Sequence, residues 1–526
     1  MNKPLFAASF AVAAACIFTG PVLAAPIQSS PIVVSKDDKL VLAVNPDNAS
    51  VTLIDVSGAV LKKKKEIKTG PEPVSVAITS DGKMAYVAHA AAGTVTPVDV
   101  VKKRALRPVT LGGEPSAVLL TPNNTRLIVA NAVRNSIDVL DVTVSPPVLI
   151  ATRDVSAFGT APRALAMTDD GDADDTDETL FVALFYAQLR TGKTATQEAQ
   201  DDEREGHVIA YETQFFTELA APNPIVLGPM DKTFNGGVGT GFNSNGQLAP
   251  GGPPSGSPAN PTPAIASTNP QAFTTPTGAF PNQLAAIALH PTNGKGYVVS
   301  TGASPNGPLR FNSNVQGLVS VFNTSARTEV TATQTGVIVR MTAPLNLNQG
   351  VNLGTTPAPR LFLSNPVAMA WRPDGSDAWV AIQNSDLLVR LTVDGNGIPT
   401  VSNPLVAGVS NLVRVDLESV TGKLLPGKAP RGVAINNAGT RAFVANFVTR
   451  NVTAVDISNA TSPAIAATLT TARVPKKGSR EAKSQLGAEL FFTGRGPEVR
   501  MSSEGWGGCI VCHPNGRSDS VTWMFD

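Results

Sequence analysis

Seven short apolar runs recur along this chain at equivalent places in one pattern: VLAV at 41–44, YVAH at 86–89, IVAN at 128–131, FVAL at 181–184, YVVS at 297–300, WVAI at 379–382 and FVAN at 443–446. Each follows a turn-forming cluster such as SDGK, PNNT or PDGS, and each precedes a second β-favouring run such as VTPVDV at 95 or VTAVDI at 452. Asp-Gly and Asn-rich turns between such runs are hairpin signals. Most repeats add a Pro and an alternating strand ahead of the turn, as in PEPVSVAI and APRGVAI. A period of about 40–45 residues, with three or four strands and no helix per unit, predicts propeller blades. A small sheet has two apolar faces that it cannot bury alone, and packing such sheets around an axis buries them all. The expectation is a mainly β chain, with a seven-bladed β-propeller over residues 31–470. Seven blades fit better than eight because the wide interval between 181 and 297 is filled by turn-rich sequence. Within it, residues 235–283 are Gly, Pro, Asn and Ser with almost no aliphatics, and they read as a long flexible surface loop.

The stretches GPEPVSVAITSDGKMAYVAH and NNAGTRAFVANFVTRNVTAVDI show how the repeat resembles the YVTN-family β-propeller, with its Pro, hydrophobic strand, Asp-Gly turn, Tyr-Val-x-Asn and Val-x-Val-Ile-Asp. The resemblance spans about residues 31–470 and implies a propeller, not a chemistry, because one fold hosts many functions. Composition narrows the partners. The 526 residues are 42% hydrophobic and 16% charged with a net charge of +1, so no polyanion-binding surface is expected and nucleic acid is excluded as a partner. The run Lys62 to Lys65 reads as a solvated turn between two strands.

At the amino terminus, Lys3, the apolar stretch from Leu5 to Phe18 and small residues at Val22 and Ala24 have the shape of a cleaved secretory signal over residues 1–24. A lipoprotein signal at Cys16 is disfavoured because apolar Ile17 and Phe18 continue past it. No later segment has the ~18–20 continuous apolar residues of a membrane span. The expected location is the periplasm or the outer surface of the cell. Removal of the signal leaves two cysteines, Cys509 and Cys512, which can staple no framework but themselves.

Those two form Cys509-Ile510-Val511-Cys512-His513, the C-x-x-C-H attachment signature of covalently bound haem c. Thiols three positions apart on one helical turn reach both vinyl groups of one porphyrin edge, and the next residue places an imidazole on the iron. Cys509 and Cys512 are therefore the candidate cofactor-binding residues, and His513 is the candidate metal ligand. Competing uses fit less well. Zinc takes about four Cys or His ligands, yet His89, His207 and His290 lie far back in the repeats. A redox C-x-x-C pair wants a thioredoxin-like βαβ context that this chain lacks.

Around the motif, Leu486-Gly487, Leu490-Phe491-Phe492, Met501-Ser502 and Cys509 to His513 resemble the first haem segment of the bacterial di-haem cytochrome c peroxidase family. Asp519, Thr522, Trp523 and Phe525 match the form joined to YVTN propellers. The resemblance implies electron transfer, with peroxidase-type chemistry where a second haem is held. This chain has one C-x-x-C-H, and only residues 514–526 follow it, so residues 471–526 are expected to be a linker and an incomplete α-helical cytochrome c-like segment of a longer protein. Ala482, Leu486, Leu490 and Phe491 are on helical spacing. Met524 and Met501 are the nearby thioethers, and Met524 reads as packing rather than as a distal ligand.

The expected function is an exported c-type cytochrome whose propeller docks or positions it, working with a redox partner protein or a small electron donor or acceptor. The alternatives are a peroxidase-like di-haem oxidoreductase, or a non-catalytic binding propeller with a relic haem segment. The acidic run Asp169, Asp170, Asp172, Asp174, Asp175, Asp177 and Glu178 reads as a solvated hairpin turn, with calcium as the alternative; its register does not match an EF-hand. The polar insert 188–206 reads as an exposed excursion within one blade that could border the haem segment. His89 and His290 read as structural variants of the repeat. No Ser-His-Asp set or paired catalytic carboxylates emerge.

Overall fold

A computed structural model describes residues 27–229, 279–305, 315–333, 340–342, 345–347, 362–400, 413–419, 422, 424–496, 505 and 507–524, apart from 195 and 197. The expected leader and nearly all of the expected 235–283 loop lie outside these residues. The loop is shorter than expected at its end, because Phe280–Leu289 is a strand with Phe280 fully buried.

Seven antiparallel sheets of four or more strands follow one another along the chain, and a separate two-stranded sheet pairs Thr331–Thr333 with Arg340–Thr342 between the fifth and the sixth. The first blade is Ile32–Val34, Leu40–Asn45, Ser50–Asp55 and Lys62–Lys68, and the seventh is Pro430–Ile435, Arg441–Asn446, Asn451–Asp456 and Ala464–Thr470. The apolar runs found in the sequence are the second strands, buried on both faces between neighbouring blades. In the seventh blade Phe443, Val444 and Ala442 are fully buried. Strands covered on both sides read as continuous apolar segments rather than as alternations.

The first strand of five blades begins with Pro and carries a register shift directly after it, at Pro73/Ser75, Pro115/Ala117, Pro162/Ala164, Pro366/Ala368 and Pro430/Gly432. A bulge adds one residue and re-aims its side chain. Here the extra residues, Val74, Ser116, Arg163, Val367 and Arg431, line the axial cavity. The Asp-Gly turns supply the left-handed residue their hairpins require, with Gly82 at φ +69° and Gly375 at φ +70°.

The asparagine that ends several second strands closes the next hairpin from inside. Asn446 Nδ2 donates to Asn451 Oδ1 and Thr453 Oγ1 at 2.9 Å, and Asn45 Nδ2 donates to Thr52 Oγ1 at 2.9 Å. His89 takes that place in the second blade. It is fully buried, burial pushes its pKa down to about 4, and its ring fits because Gly70 lacks a Cβ that would lie 3.2 Å from Nδ1. His290 caps its own turn, accepting at Nδ1 from the Thr292 and Asn293 N–H groups at 3.1 Å while Nε2 lies 3.0 Å from the Gly375 carbonyl. Both histidines are structural variants, as the repeat suggested.

Lys62 to Lys65 correct the turn expectation: they lie in the outermost strand of the first blade, exposed. Lysines on an outer edge deter pairing with another chain.

The ring closes without a shared strand, since the first and seventh blades each contain four consecutive strands. Side chains make the seam: Phe443, Val452 and Ala454 pack on Ile32, Val41 and Ile54. Arg441 Nη1 donates to the Val56 carbonyl at 2.8 Å, Thr52 Oγ1 to the Thr471 carbonyl at 2.9 Å, and the Asn437 N–H to Asp38 Oδ1 at 2.8 Å. The segment before the first blade spans the channel. Ile27–Gln28 pairs with Met167 and Ala166 of the fourth blade, the Gln28 amide bonds the Met369 carbonyl of the sixth, and the Ser30 carbonyl accepts from the Val76 N–H of the second at 2.9 Å.

Because Phe443 fills that seam, Phe443→Ala is expected to destabilise the chain by about 3–5 kcal/mol, whereas Lys62→Ala on the exposed edge should change it by less than about 0.5 kcal/mol. Urea unfolding followed by circular dichroism measures both.

Candidate functional site

After the last blade the chain returns over one mouth of the channel as α1 (Arg480–Phe492) and α2 (Cys509–Cys512). These are the two α-helices among the described residues, and they do not make a cytochrome fold; the expected helical segment is present as a strap on the propeller. Ser479 caps α1 by accepting from the Ala482 N–H at 3.2 Å. Phe492, at the end of α1, meets Phe447 edge-on with centroids 5.1 Å apart.

Directly after α1, Thr493, Gly494 and Arg495 lock into the turn at 384–386 of the sixth blade. Thr493 Oγ1 donates to Asp386 Oδ2 at 2.7 Å, and the Ala429 N–H donates to Asp386 Oδ1 at 2.6 Å. Arg495 bonds Asp416 Oδ1 at 2.7 Å and Glu418 Oε2 at 2.9 Å. Lys428 Nζ reaches Glu489 Oε1 of α1 at 3.1 Å and the Arg495 carbonyl at 2.7 Å. Glycine permits the next contact. The Gly505 carbonyl accepts from Asn384 Nδ2 at 2.8 Å, and a Cβ on Gly505, whose φ is +67°, would stand 2.9 Å from Ser385 Oγ.

This seating fixes α2. Ile510 and Val511 are buried in the propeller mouth, where Gln283 Nε2 donates to the Val511 carbonyl at 2.6 Å. Cys509 is exposed, Cys512 half-buried and His513 exposed, with no disulfide between the thiols. The His513 N–H donates to the Cys509 carbonyl at 2.9 Å, so the helical turn continues into the histidine. Burial, aided by the charge of Asp519, pushes the Cys512 thiol up to about 11. Asp519 is buried behind the motif, its N–H donating to the Cys512 carbonyl at 3.1 Å and its carboxylate accepting from Trp523 Nε1 at 2.9 Å. Trp523 packs on Ala187, Phe280 and Ala303 of the propeller. Met524 is 44% exposed, so the apolar packing expected of it is incomplete; Met501 and Phe525 lie outside the described residues.

The insert 188–206 does border this strap, with Thr522 Oγ1 donating to Glu198 Oε2 at 2.7 Å. His207, within the following strand, bonds the Phe158 carbonyl through Nδ1 at 2.6 Å, away from the motif's own elements. The acidic run is the hairpin turn between Pro162–Met167 and Thr179–Leu184. Asp175 is buried and accepts from the Asn123 N–H of the third blade at 2.8 Å, while exposed Asp170, Asp172 and Asp177 bring carboxylate atoms within 4.8 Å of one another.

Comparison with known proteins shows the fold. Hydrazine synthase from Kuenenia stuttgartiensis superimposes with a TM-score of 0.53 at 17% identity, covering 85% of this chain and 99% of that one. A functionally unknown protein from Desulfotomaculum acetoxidans gives 0.44 at 11% identity, covering 80% and 93%. No family model matches the chain, and neither does any curated protein. Among the described residues no helix is long and apolar enough to cross a membrane.

Asp386 makes the strap sensitive to pH. Burial, with the negative charge of Glu418 adding to it, pushes its carboxyl up to about 7 against the pull of the Ala429 N–H, Thr493 and Lys428. Release of the strap would hydrate the carboxyl and move it toward the usual carboxylate range near 4. The seated state then holds the extra proton between these values, so seating weakens as pH rises from about 5 to about 7 and levels off above. Asp386→Asn is expected to flatten that dependence, read as hydrogen-exchange protection of Thr493 to Arg495 between pH 5 and 8.

Proposed function

We propose that this chain is an exported c-type cytochrome of the periplasm or cell surface, in which a YVTN-type propeller holds a short haem-attachment segment for electron exchange with a redox partner protein or a small donor or acceptor. One observation carries the reading: in α2 Cys509 and the following His513 are exposed and Cys512 is half-buried, while the two intervening residues are buried. The donor set fits haem c. Cys509 and Cys512 would form the two thioethers and His513 would ligate the iron. Bound haem supplies one-electron transfer at its iron.

The chain's own residues orient that set. Ile510 and Val511 anchor the turn by burial, Gln283 fixes its carbonyl, and Asn282 Nδ2 holds the Asp519 carbonyl at 2.9 Å. Because the anchoring groups are propeller side chains, the outward face is left to the cofactor and to whatever exchanges electrons with it. Arg495 and Asp386 act on the motif only by holding the strap that carries it.

Purified from a host that matures c-type cytochromes, the protein should show a Soret band, and haem stain should travel with the polypeptide through a denaturing gel. Cys509→Ser with Cys512→Ser should abolish the stain. His513→Ala should keep it but shift the Soret band, with added imidazole restoring the original position. Folded, colourless and iron-free protein would refute the assignment and leave a binding propeller.

A second reading concerns calcium at Asp170, Asp172 and Asp177, supported by their mutual approach within 4.8 Å. Calorimetric titration with CaCl2 should show saturable binding that Asp172→Asn weakens at least about tenfold, since each hard oxygen ligand counts; no heat of binding removes calcium from the description.

A further inference from the structure

Beneath the strap lies a cavity of about 700 Å³ at the mouth of the axial channel. Its floor is the crossing segment from Gln28 to Pro31, its walls are the first strands of the blades, and its roof includes Phe492, Ile510, Pro514 and Asn515 of the strap. Five bulged positions face it, and in the second, third and sixth blades these are Val74, Ser116 and Val367. In the fourth and seventh blades the same position is an arginine, Arg163 and Arg431. Blades four and seven stand nearly opposite one another in a seven-membered ring.

Neither guanidinium is neutralised by a carboxylate bonded to it. Arg431 stacks with its Cζ 3.6 Å from the Phe447 ring centroid and 4.8 Å from that of Phe492. Among the described residues no oxygen accepts a hydrogen bond from it. Stacking covers the face of the planar group and leaves its in-plane N–H fork free. Arg163 lies 5.2 Å from the Phe185 ring centroid. With the Asn515 amide turned so that its oxygen faces inward, that oxygen accepts from both Nη atoms at 3.1 Å, a neutral acceptor where an anion would bind more strongly.

Three acids also line the cavity, Glu114, Asp47 and Glu72, and they act on the two arginines through space without bonding them. Glu114 pairs with Arg517 and Asp47 with Arg450, while Glu72 is exposed at the rim. Burial lowers the pKa of both arginines, Arg431 to about 10 with the charge of Arg163 contributing, yet both remain cationic at neutral pH. Half-buried like charges facing one cavity repel each other, and an anion bonded to both would relieve that repulsion.

We propose that this cavity binds a small organic dicarboxylate, one carboxylate on Arg431 and the other on Arg163. Two separated forks select two anionic ends, and the rings of Phe185, Phe447 and Phe492 suit a carbon skeleton between them better than an inorganic anion. Cys509 and Cys512 do not line this space, so the proposal does not depend on haem.

The test is calorimetric titration of the full chain with succinate, glutarate and adipate, and with acetate and phosphate for comparison. At least one dicarboxylate should bind saturably, at least about tenfold more tightly than acetate or phosphate, because a second charge-assisted bidentate pair is engaged. Arg431→Met, and separately Arg163→Met, should each weaken that binding about tenfold or more while the circular dichroism spectrum is unchanged. The wild-type titration stands alone if either variant fails to fold. No saturable binding of any dicarboxylate, equal binding of acetate or phosphate, or dicarboxylate affinity unchanged in a folded variant would each overturn the proposal.

Discussion

Closing a ring of seven sheets is the constraint on which the rest of this molecule depends. An open propeller would expose the apolar face of its first and last blades, and many propellers avoid this by building one blade from both chain ends. Here the first and the seventh blade are each a single stretch of chain, so the seam must hold by side-chain packing and by polar clasps between turns. The Phe443 cluster, the Arg441 bonds to backbone carbonyls and the Asn437 to Asp38 contact supply that hold. The segment from Ile27 to Pro31 adds a tie of a different kind, touching the second, fourth and sixth blades from within the channel. Its residues Gln28 to Pro31 also line the cavity beneath the strap.

The inner parts of the blades were legible in the sequence because burial on both faces leaves a strong apolar signal. FVAN and WVAI could hardly be anything but central strands, and the turns before them have the residues their backbone angles need. The outer strands were not legible for the same reason in reverse. Lys62–Lys68 and Val148–Asp154 bury little, so their composition is free to follow solvent, and a run of four lysines looks like a turn. The extent of the loop before the fifth blade was overread because Phe280 to Gln283 begin their strand inside a Pro- and Thr-rich context.

In the strap, the motif residues were legible and their support was not. Cys509, Cys512 and His513 announce themselves by adjacency. Asp386, Lys428 and Arg495 come from three places in the chain, and nothing in their local sequence distinguishes them from solvated charges. Only the fold brings a buried carboxylate, a lysine and an arginine to one joint, where Thr493 and Gly494 close over them. The glycines before Cys509 gave a partial signal, since a cluster of small residues beside a motif often marks a close approach, but the surface they approach was not deducible.

One strap therefore has two faces with different chemistry. On one side it carries the thiols and imidazole; on the other it roofs a space lined by Arg163 and Arg431, and Asn515 of the same strap is the acceptor that holds Arg163. Pro514 and Asn515 follow His513 directly, so a displacement of the roof by an anion in the cavity would be felt at the imidazole within two residues. Conversely, anything that draws on the outer face must act on a turn anchored by Ile510 and Val511 in the cavity wall. The joint at Asp386 is one of several ties, with Gln283 on the Val511 carbonyl, Asn282 on the Asp519 carbonyl and Arg517 on Glu114, that hold both faces in place together. Such coupling requires no pathway through the blades; it follows from one short segment having two sides.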